Sequence, residues 1–313
     1  MPARGLKRVG GSGNLLSRVI RAGHHSRHPH RVSVSESTRP PRVSCLLVTA
    51  DRPVYCRRTI LCYQRQSYEN KELVVVDNGD RPIDHLLAGL PATEVVYKRV
   101  RREPNTYIGW LRNLSLEMAT GEFVAPHWDD DDWYHPDRLT LQLEPLISGE
   151  HDASTLSSTL MHVESPEHFD HPFVGSLPDG VPPTIVHRKS DSIRYPDLRR
   201  TSDTSYLAAW RTLRHVSLER AFAYLYIRCF HGGNLWEENH FLRRMRNTPK
   251  DFVAYLWHRY LRGNLHGHSR FKLDRNAADA FNQYLEDSRH LGIFDSEVST
   301  EIPERTAPPS NTR

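Results

Sequence analysis

The chain reads as an α/β protein: a mostly parallel sheet with helices on its faces. Three observations lead there. Short apolar runs alternate with helical stretches through the first hundred residues after Val43, as in strands joined by crossover helices. The first two runs, Val43 to Val48 (VSCLLV) and Glu72 to Val76 (ELVVV), are too short for helices and too apolar for exposed strands. Carboxylates follow three of the runs, at Asp51, at Asp77 to Asp80 and at Asp129 to Asp132, and ligands of open α/β sheets bind beyond the carboxyl ends of the strands.

The elements follow in order. The first strand ends in Thr49-Ala50-Asp51-Arg52-Pro53, and Pro53 opens a helix to about Gln66. The second strand closes on Asp77-Asn78-Gly79-Asp80, a short helix fits Pro82 to Leu90, and a third strand fits Glu94 to Tyr97. Leu111, Leu114 and Met118 share one face of a helix from Thr106 to Thr120, ended by Gly121. Glu122 to Ala125 is a strand, and Leu139, Leu143, Leu146 and Ile147 mark a helix after Pro136. Pro126 suggests that this strand lies at an edge or a bulge. Beyond Gly149 the spacing predicts strands at Ala153 to Val163 and Thr184 to His187, and a mobile loop over Phe169 to Pro183. A helix is expected at Asp203 to Arg214, a β-prone segment at Ala221 to Phe230, and helices near Asp251 to Arg262 and Asn276 to His290.

At 313 residues the chain can bury a real core. Its 38% hydrophobic and 26% charged residues suit a soluble protein with polar tails, and no apolar run approaches the roughly 20 residues that span a bilayer. The expected organisation is a disordered basic arm over 1–42, a core domain over 43–236, a small C-terminal helical extension over 237–298 and a disordered tail over 299–313. The net charge of +4 comes mostly from the arm, which can meet a polyanion or serve only as a solubilising tail. Cys45, Cys56, Cys62 and Cys229 form no C-x-x-C pair, and no secretory signal precedes them, so they are read as reduced packing residues of a cytoplasmic protein. The 19 histidines include no H-E-x-x-H pair.

The most telling run is Trp128-Asp129-Asp130-Asp131-Asp132-Trp133. Four adjacent carboxylates repel one another, and burying them requires partners. Apolar residues before the run and tryptophans at both ends point to a divalent-cation site at a strand end rather than a solvated acidic tail. An acidic loop ahead of the helix at Pro136 is the plainer alternative.

Four ordered blocks, VSCLLVTADRP (Val43 to Pro53), ELVVVDNG (Glu72 to Gly79), RNLSLEMATGEF (Arg112 to Phe123) and WDDDDWYHPDRL (Trp128 to Leu139), resemble the family 2 glycosyltransferases, whose fold is GT-A. The likeness continues more weakly through Thr184 to Arg188, YPDLRRTSDTSYL (Tyr195 to Leu207) and YIRCFHGGNLW (Tyr226 to Trp236). It implies inverting transfer of a sugar from a nucleotide-diphosphate donor, a UDP-sugar being favoured, to an acceptor hydroxyl of a glycan, protein or small molecule. It also implies a divalent cation, Mn2+ or Mg2+, against the leaving diphosphate. The family's Asp-x-Asp element falls on Asp129 and Asp131. By that resemblance Asp131 binds the metal and Asp129 holds the ribose or a metal-bound water. Asp132 supports them, His231 completes the metal shell, and Asp130 is expected to face solvent. Thr49 and Asp51 would line base and ribose, Asp77 would meet the ring edge of the base, and Arg112 would close the pocket.

The catalytic base of the resemblance falls on Asp203, with Ser202 where the family usually has Glu. That departure leaves Asp203 open as a plain helix cap, with Glu237 and Glu238 as reserve carboxylates. Arg112 as a surface ion pair and His231 as a loop histidine also stay open. The Gln-x-x-Arg-Trp element of processive membrane synthases is absent. Two other functions stay open: a nucleotidyltransferase, disfavoured because Thr49 to Arg52 holds no glycine, and a non-catalytic module that binds a polyanion through the arm.

Overall fold

The computed structural model describes residues 39–294 apart from 105, 197, 199, 200, 235 and 236. The expectations for most of the basic arm (residues 1–38) and for the tail from 299 onward lie outside these residues. Among the described residues the central sheet holds β1 (Val43–Thr49), β2 (Lys71–Asp77), β3 (Val95–Arg99), β4 (Phe123–Ala125), β6 (Ala153–Leu156), β9 (Val186–Arg188) and β10 (His215–Leu218), in the order β10-β6-β9-β4-β1-β2-β3. Strands β4, β1, β2 and β3 run parallel, and only β9 opposes its neighbours. The expected mostly parallel α/β architecture is therefore present.

Period-two geometry explains the first two strands. Val43, Cys45 and Leu47 of β1, with Leu73 and Val75 of β2, enter one apolar cluster. That cluster is shared with α1 (Pro53–Gln64) through Cys56, Ile60 and Tyr63. Leu46 and Val74 point the other way, into a cluster with Leu116 of α2 (Ile108–Met118) and Val124 of β4. Both faces are covered, so the strands read as continuous apolar runs. Strand β4 lies between β1 and β9 rather than at an edge. Pro126 stands just past its end, where no ladder N–H is required.

A second sheet packs beside the first, in the order β5 (Trp133–Tyr134), β11 (Tyr226–Phe230), β7 (Ser158–Val163), β8 (Phe173–Ser176). Two expectations are corrected here. The presumed mobile loop over Phe169 to Pro183 contains β8, which pairs with β7 and buries Phe173. The β-prone segment at Ala221 begins as a 3-10 turn over Arg220–Leu225, and only Tyr226–Phe230 is strand. The remaining helices are α3 (Arg138–Ile147), α4 (Ser202–Trp210), α5 (Glu238–Leu242), α6 (Pro249–Leu256) and α7 (Arg275–His290). Helix α7 sends Ala277, Phe281 and Tyr284 into the main cluster. All four cysteines are buried and unpaired.

His162 of β7 lies at the junction of sheet and α7. Nε2 faces the Phe169 carbonyl at 2.9 Å, which only accepts, so Nε2 carries the proton and Nδ1 accepts from the Tyr284 hydroxyl at 2.7 Å. Burial, opposed by the Phe169 carbonyl and aided by Arg58, holds its pKa down to about 4, against 6.5 for a free imidazole. The unfolded chain therefore binds the extra proton between pH 6.5 and 4, and stability falls as pH drops through that window. Chemical denaturation of wild type should lose stability over this range, with His162 accounting for up to ~3 kcal/mol. His162→Gln should be less stable at pH 7 and show a shallower slope. An unchanged slope would remove His162 as a source of the acid sensitivity.

Candidate active site

A cavity of about 520 Å³ opens beyond the carboxyl ends of β1 and β4. Its walls include Thr49 and Ala50 after β1, Asn78 after β2, Arg112 on α2, all four aspartates of the acidic run, Ser202 and Asp203 at the start of α4, and Arg228 and Asn234 from the β11 end. The acidic run sits there because its backbone is tied down. Thr59 of α1 donates to the Asp129 carbonyl at 2.8 Å, Arg58 to the Asp131 carbonyl at 2.7 Å, and Tyr134 to the Asp129 carbonyl at 2.9 Å. The tryptophans at either end are buried, with indole N–H groups donating to the Thr59 carbonyl and to Asp287.

The four carboxylates have different partners. Asp129 faces Arg112 at 3.5 Å and His127 at 3.7 Å. Burial alone would raise its pKa, but His127 and Arg112 outweigh burial and hold it well below the usual carboxylate range. Asp131 meets Arg52 at 3.0 Å, the Asn234 amide at 3.1 Å and His231 Nε2 at 3.4 Å. Burial again opposes, and His231 and Arg52 again prevail, so its pKa is also lowered. Asp132 points into the second sheet, accepting from the Tyr226 hydroxyl at 2.6 Å and the Cys229 amide at 3.0 Å. Burial and then Asp131 push it up to about 7.

Asp130 corrects an expectation. It does not face solvent: it is 5% exposed and accepts from Thr49 Oγ1 at 2.6 Å and Arg52 at 3.1 Å. Burial, eased by Arg52 and reinforced by Asp131, pushes its pKa up to about 6. The same contact uses the Thr49 hydroxyl, so Thr49 lines the cavity while holding Asp130.

Asp51 and Asp77 lie away from the cavity wall. The Asp77 carboxylate is fully buried and accepts from the Gly79 and Ile83 amides and the Tyr97 hydroxyl. It shares the strand face of Leu73 and Val75, which leads into the core; its neighbour Asn78 reaches the cavity instead. Asp51, at a left-handed φ of 55°, accepts from the Asp80 and Arg81 amides and pairs with Arg102. A Cβ on Gly79 would lie 2.7 Å from the Asp51 amide nitrogen, so glycine lets these two loops touch. Asp51 and Asp77 thus tie together the loops after β1 and β2, and neither is a wall residue of the cavity.

Asp203 is brought to the acidic run. The residue preceding α4 is Thr201, at φ 64°, and Asp203 lies in the first turn, accepting from the Thr204 amide at 2.9 Å. It is therefore not the cap of α4, and it lines the cavity together with Arg112 and the aspartates. Glu237 and Glu238 are not among the wall residues; Glu238 instead approaches His168 at 3.9 Å. His231 stacks on Tyr55, with ring centroids 4.6 Å apart. Its neighbours Leu235 and Trp236 lie outside the described residues.

Sequence reasoning gave no role to Arg52, Arg228, Asn78 or Asn234. Arg52 bridges Asp130 and Asp131 and donates to the Gly233 carbonyl. The expected metal set does not converge as a whole: Asp131 and His231 meet, whereas Asp129 turns to Arg112. Among the described residues no three His, Cys, Asp or Glu side chains form a ligand group. A Mg2+ or Mn2+ ion fits what remains, since such ions bind through one or two carboxylates and complete their shell with substrate phosphate oxygens and water.

The model of the family described as glycosyl transferase family 2 matches residues 44–168. EpsH of Bacillus subtilis is 31% identical over 97 residues, 31% of this chain and 28% of that protein. An uncharacterized glycosyltransferase of Haemophilus influenzae is 28% identical over 109 residues, 34% of this chain and 43% of the relative. The match thus spans less than half the length of either relative. Among solved structures, S. aureus TarS 1–349 with UDP superposes with a TM-score of 0.47 at 16% identity over 80% of each chain. The mannosyltransferase PcManGT of Pyrobaculum calidifontis with GDP-Man and Mn2+ gives 0.46 at 15% identity, over 84% of this chain and 82% of that one. Residues 44–168, which carry β1, the acidic run and part of the cavity wall, are thus similar to glycosyl transferase family 2.

Proposed function

We propose that this chain transfers a sugar from a nucleotide-diphosphate donor, a UDP-sugar by preference, to an acceptor hydroxyl with inversion at the anomeric carbon. One observation carries the reading: Asp203 shares a single cavity with the acidic run and with Arg52, Arg112 and Arg228. The three guanidiniums offer charge-assisted hydrogen bonds to a diphosphate. Asp203 is a carboxylate on the α4 wall, free to accept a proton from the attacking hydroxyl. In the reaction the acceptor oxygen bonds the anomeric carbon, the bond to the diphosphate breaks, and the hydroxyl proton passes to Asp203. Inversion follows if nucleophile and leaving group lie on opposite faces of the sugar. Asp131 and His231 would hold the divalent cation, which supplies Lewis-acid neutralisation of the departing diphosphate when bound. We place the enzyme in the cytoplasm, in keeping with its four buried free thiols.

Nucleotide-sugar screening by thermal shift tests this. A UDP-sugar with Mn2+ at about 100 times its Kd should stabilise the protein by ~2.7 kcal/mol, with less effect in EDTA. Asp131→Asn should remove the metal-dependent part. If neither UDP- nor GDP-sugars shift the melting temperature at any metal concentration, the donor reading fails.

A further inference from the structure

Helix α6 and the π-helical turn that continues it, Trp257–Leu261, form a ridge whose outward side is left uncovered by the described residues. Phe252, Val253, Leu256, Trp257, Tyr260 and Leu261 recur at i, i+1, i+4 and i+5 spacing, so they fall on one side. All six are exposed, Tyr260 and Leu261 each to 73%. A contiguous apolar surface of this kind marks an interaction site. The opposite side is anchored: Tyr255 packs against the apolar cluster that contains Phe241 and Met245, and Phe241 lines the cavity.

Charge decides what the ridge meets. From Phe252 to Leu273 the sequence has no aspartate or glutamate, and it has Arg259, Arg262, Arg270 and Lys272. Lys250 and Arg262 are exposed beside the ridge, with the Arg262 guanidinium 6.0 Å from the Trp257 ring centre; Arg259 is also exposed but pairs with Glu167 at 2.9 Å, and Arg270 is buried against Asp251. A second copy docking ridge to ridge about a twofold axis would set these cations against one another. An anionic lipid surface meets both features, apolar side chains entering the acyl boundary and cations facing the headgroups. Trp257 and Tyr260 are the side chains favoured at that boundary. Among the described residues no helix is long and apolar enough to cross a membrane, so the contact is with one face.

We propose that the ridge of residues 252–261 docks the protein on anionic membrane surfaces, with the cavity carried alongside by the shared Phe241 cluster. This is independent of the sugar-transfer reading and is tested without an activity assay. The full chain is sedimented with vesicles of phosphatidylcholine, with and without phosphatidylglycerol, at rising salt. The expected result is binding to the anionic vesicles that weakens with salt. A Trp257→Ser, Tyr260→Ser, Leu261→Ser variant should bind at least about ten-fold more weakly while melting as wild type does, because the three side chains are exposed. Should that variant fold poorly, Lys250→Gln with Arg259→Gln and Arg262→Gln gives the second reading, with weaker binding and a flatter salt dependence. Absence of wild-type binding to anionic vesicles overturns the proposal. So does unchanged binding by both variants, which would move the contact elsewhere, for instance to residues 1–42. A wild-type dimer that the serine variant converts to monomer, without vesicle binding, would make the ridge a copy-to-copy interface and also overturn it.

Discussion

Asp203→Asn should lower turnover about 10³-fold, within the 10²–10⁴ that a positioned general base contributes, while the KM for the donor changes little. The asparagine keeps the size and the hydrogen bond that Asp203 accepts from the Thr204 amide. It removes the charge that takes the acceptor proton. The competing role, a helix cap, predicts the reverse: stability lost and chemistry spared. Thr201, not Asp203, precedes the helix, so the cap reading has little to lose. What the substitution can cost in the first turn is a favourable dipole interaction of ~0.3–1 kcal/mol. Steady-state release of nucleotide diphosphate, with a melting curve on the same sample, separates the two. Turnover within a few-fold of wild type would remove Asp203 from the chemistry, and donor binding measured alongside would show whether the cavity itself still works.

How much of this was legible in the sequence depends on what each residue answers to. Strands β1 and β2 and helix α2 were readable because packing on both faces writes apolar residues at consecutive or helical positions. The acidic run was readable because four adjacent charges have few physical excuses. Its internal division of labour was not, because partners decide it: Asp130 is drawn inward by Thr49 and Arg52, and Asp132 by Tyr226 and the Cys229 amide. Asp77 shows the limit of strand-end reasoning. A carboxylate at the end of a strand points to one of two faces, and here the face of Leu73 and Val75 leads to the core. Strand β8 was hidden because its four residues sit among prolines and glycines, and its pairing with β7 is non-local. Asp203 became visible only through the family resemblance, since one aspartate after a serine has no pattern of its own. Arg52 lies far in sequence from Arg228 and Asn234 and shares the cavity with them only after folding.

Arg52→Gln should destabilise the metal-free protein and leave a deficit that Mn2+ repairs. Arg52 contacts Asp130 at 3.1 Å and Asp131 at 3.0 Å, and no other guanidinium among the described residues pairs with either carboxylate. Breaking a buried pair by removing one partner costs ~3–5 kcal/mol; because the Arg52 side chain is 32% exposed, water offsets part of this and ~1–3 kcal/mol is expected. For a chain of this size each kcal/mol moves the melting temperature by about 2–4 °C, so the loss in EDTA is readily measured. The two carboxylates then lose their shared guanidinium, and a bound cation can replace its charge. Manganese should therefore raise the melting temperature of Arg52→Gln more than that of wild type, in which the guanidinium competes for the same oxygens. A variant as stable as wild type in EDTA would show that Arg52 offsets nothing. A variant that is destabilised yet gains no more from Mn2+ than wild type would show that Arg52 does not compete with a cation for these oxygens, and no gain by either protein would leave the acidic run without a cation-binding role. The outcome bears on mechanism as well as on stability. Under the proposed reaction, Arg52 released from Asp130 and Asp131 would be left in the cavity as a guanidinium for the donor diphosphate.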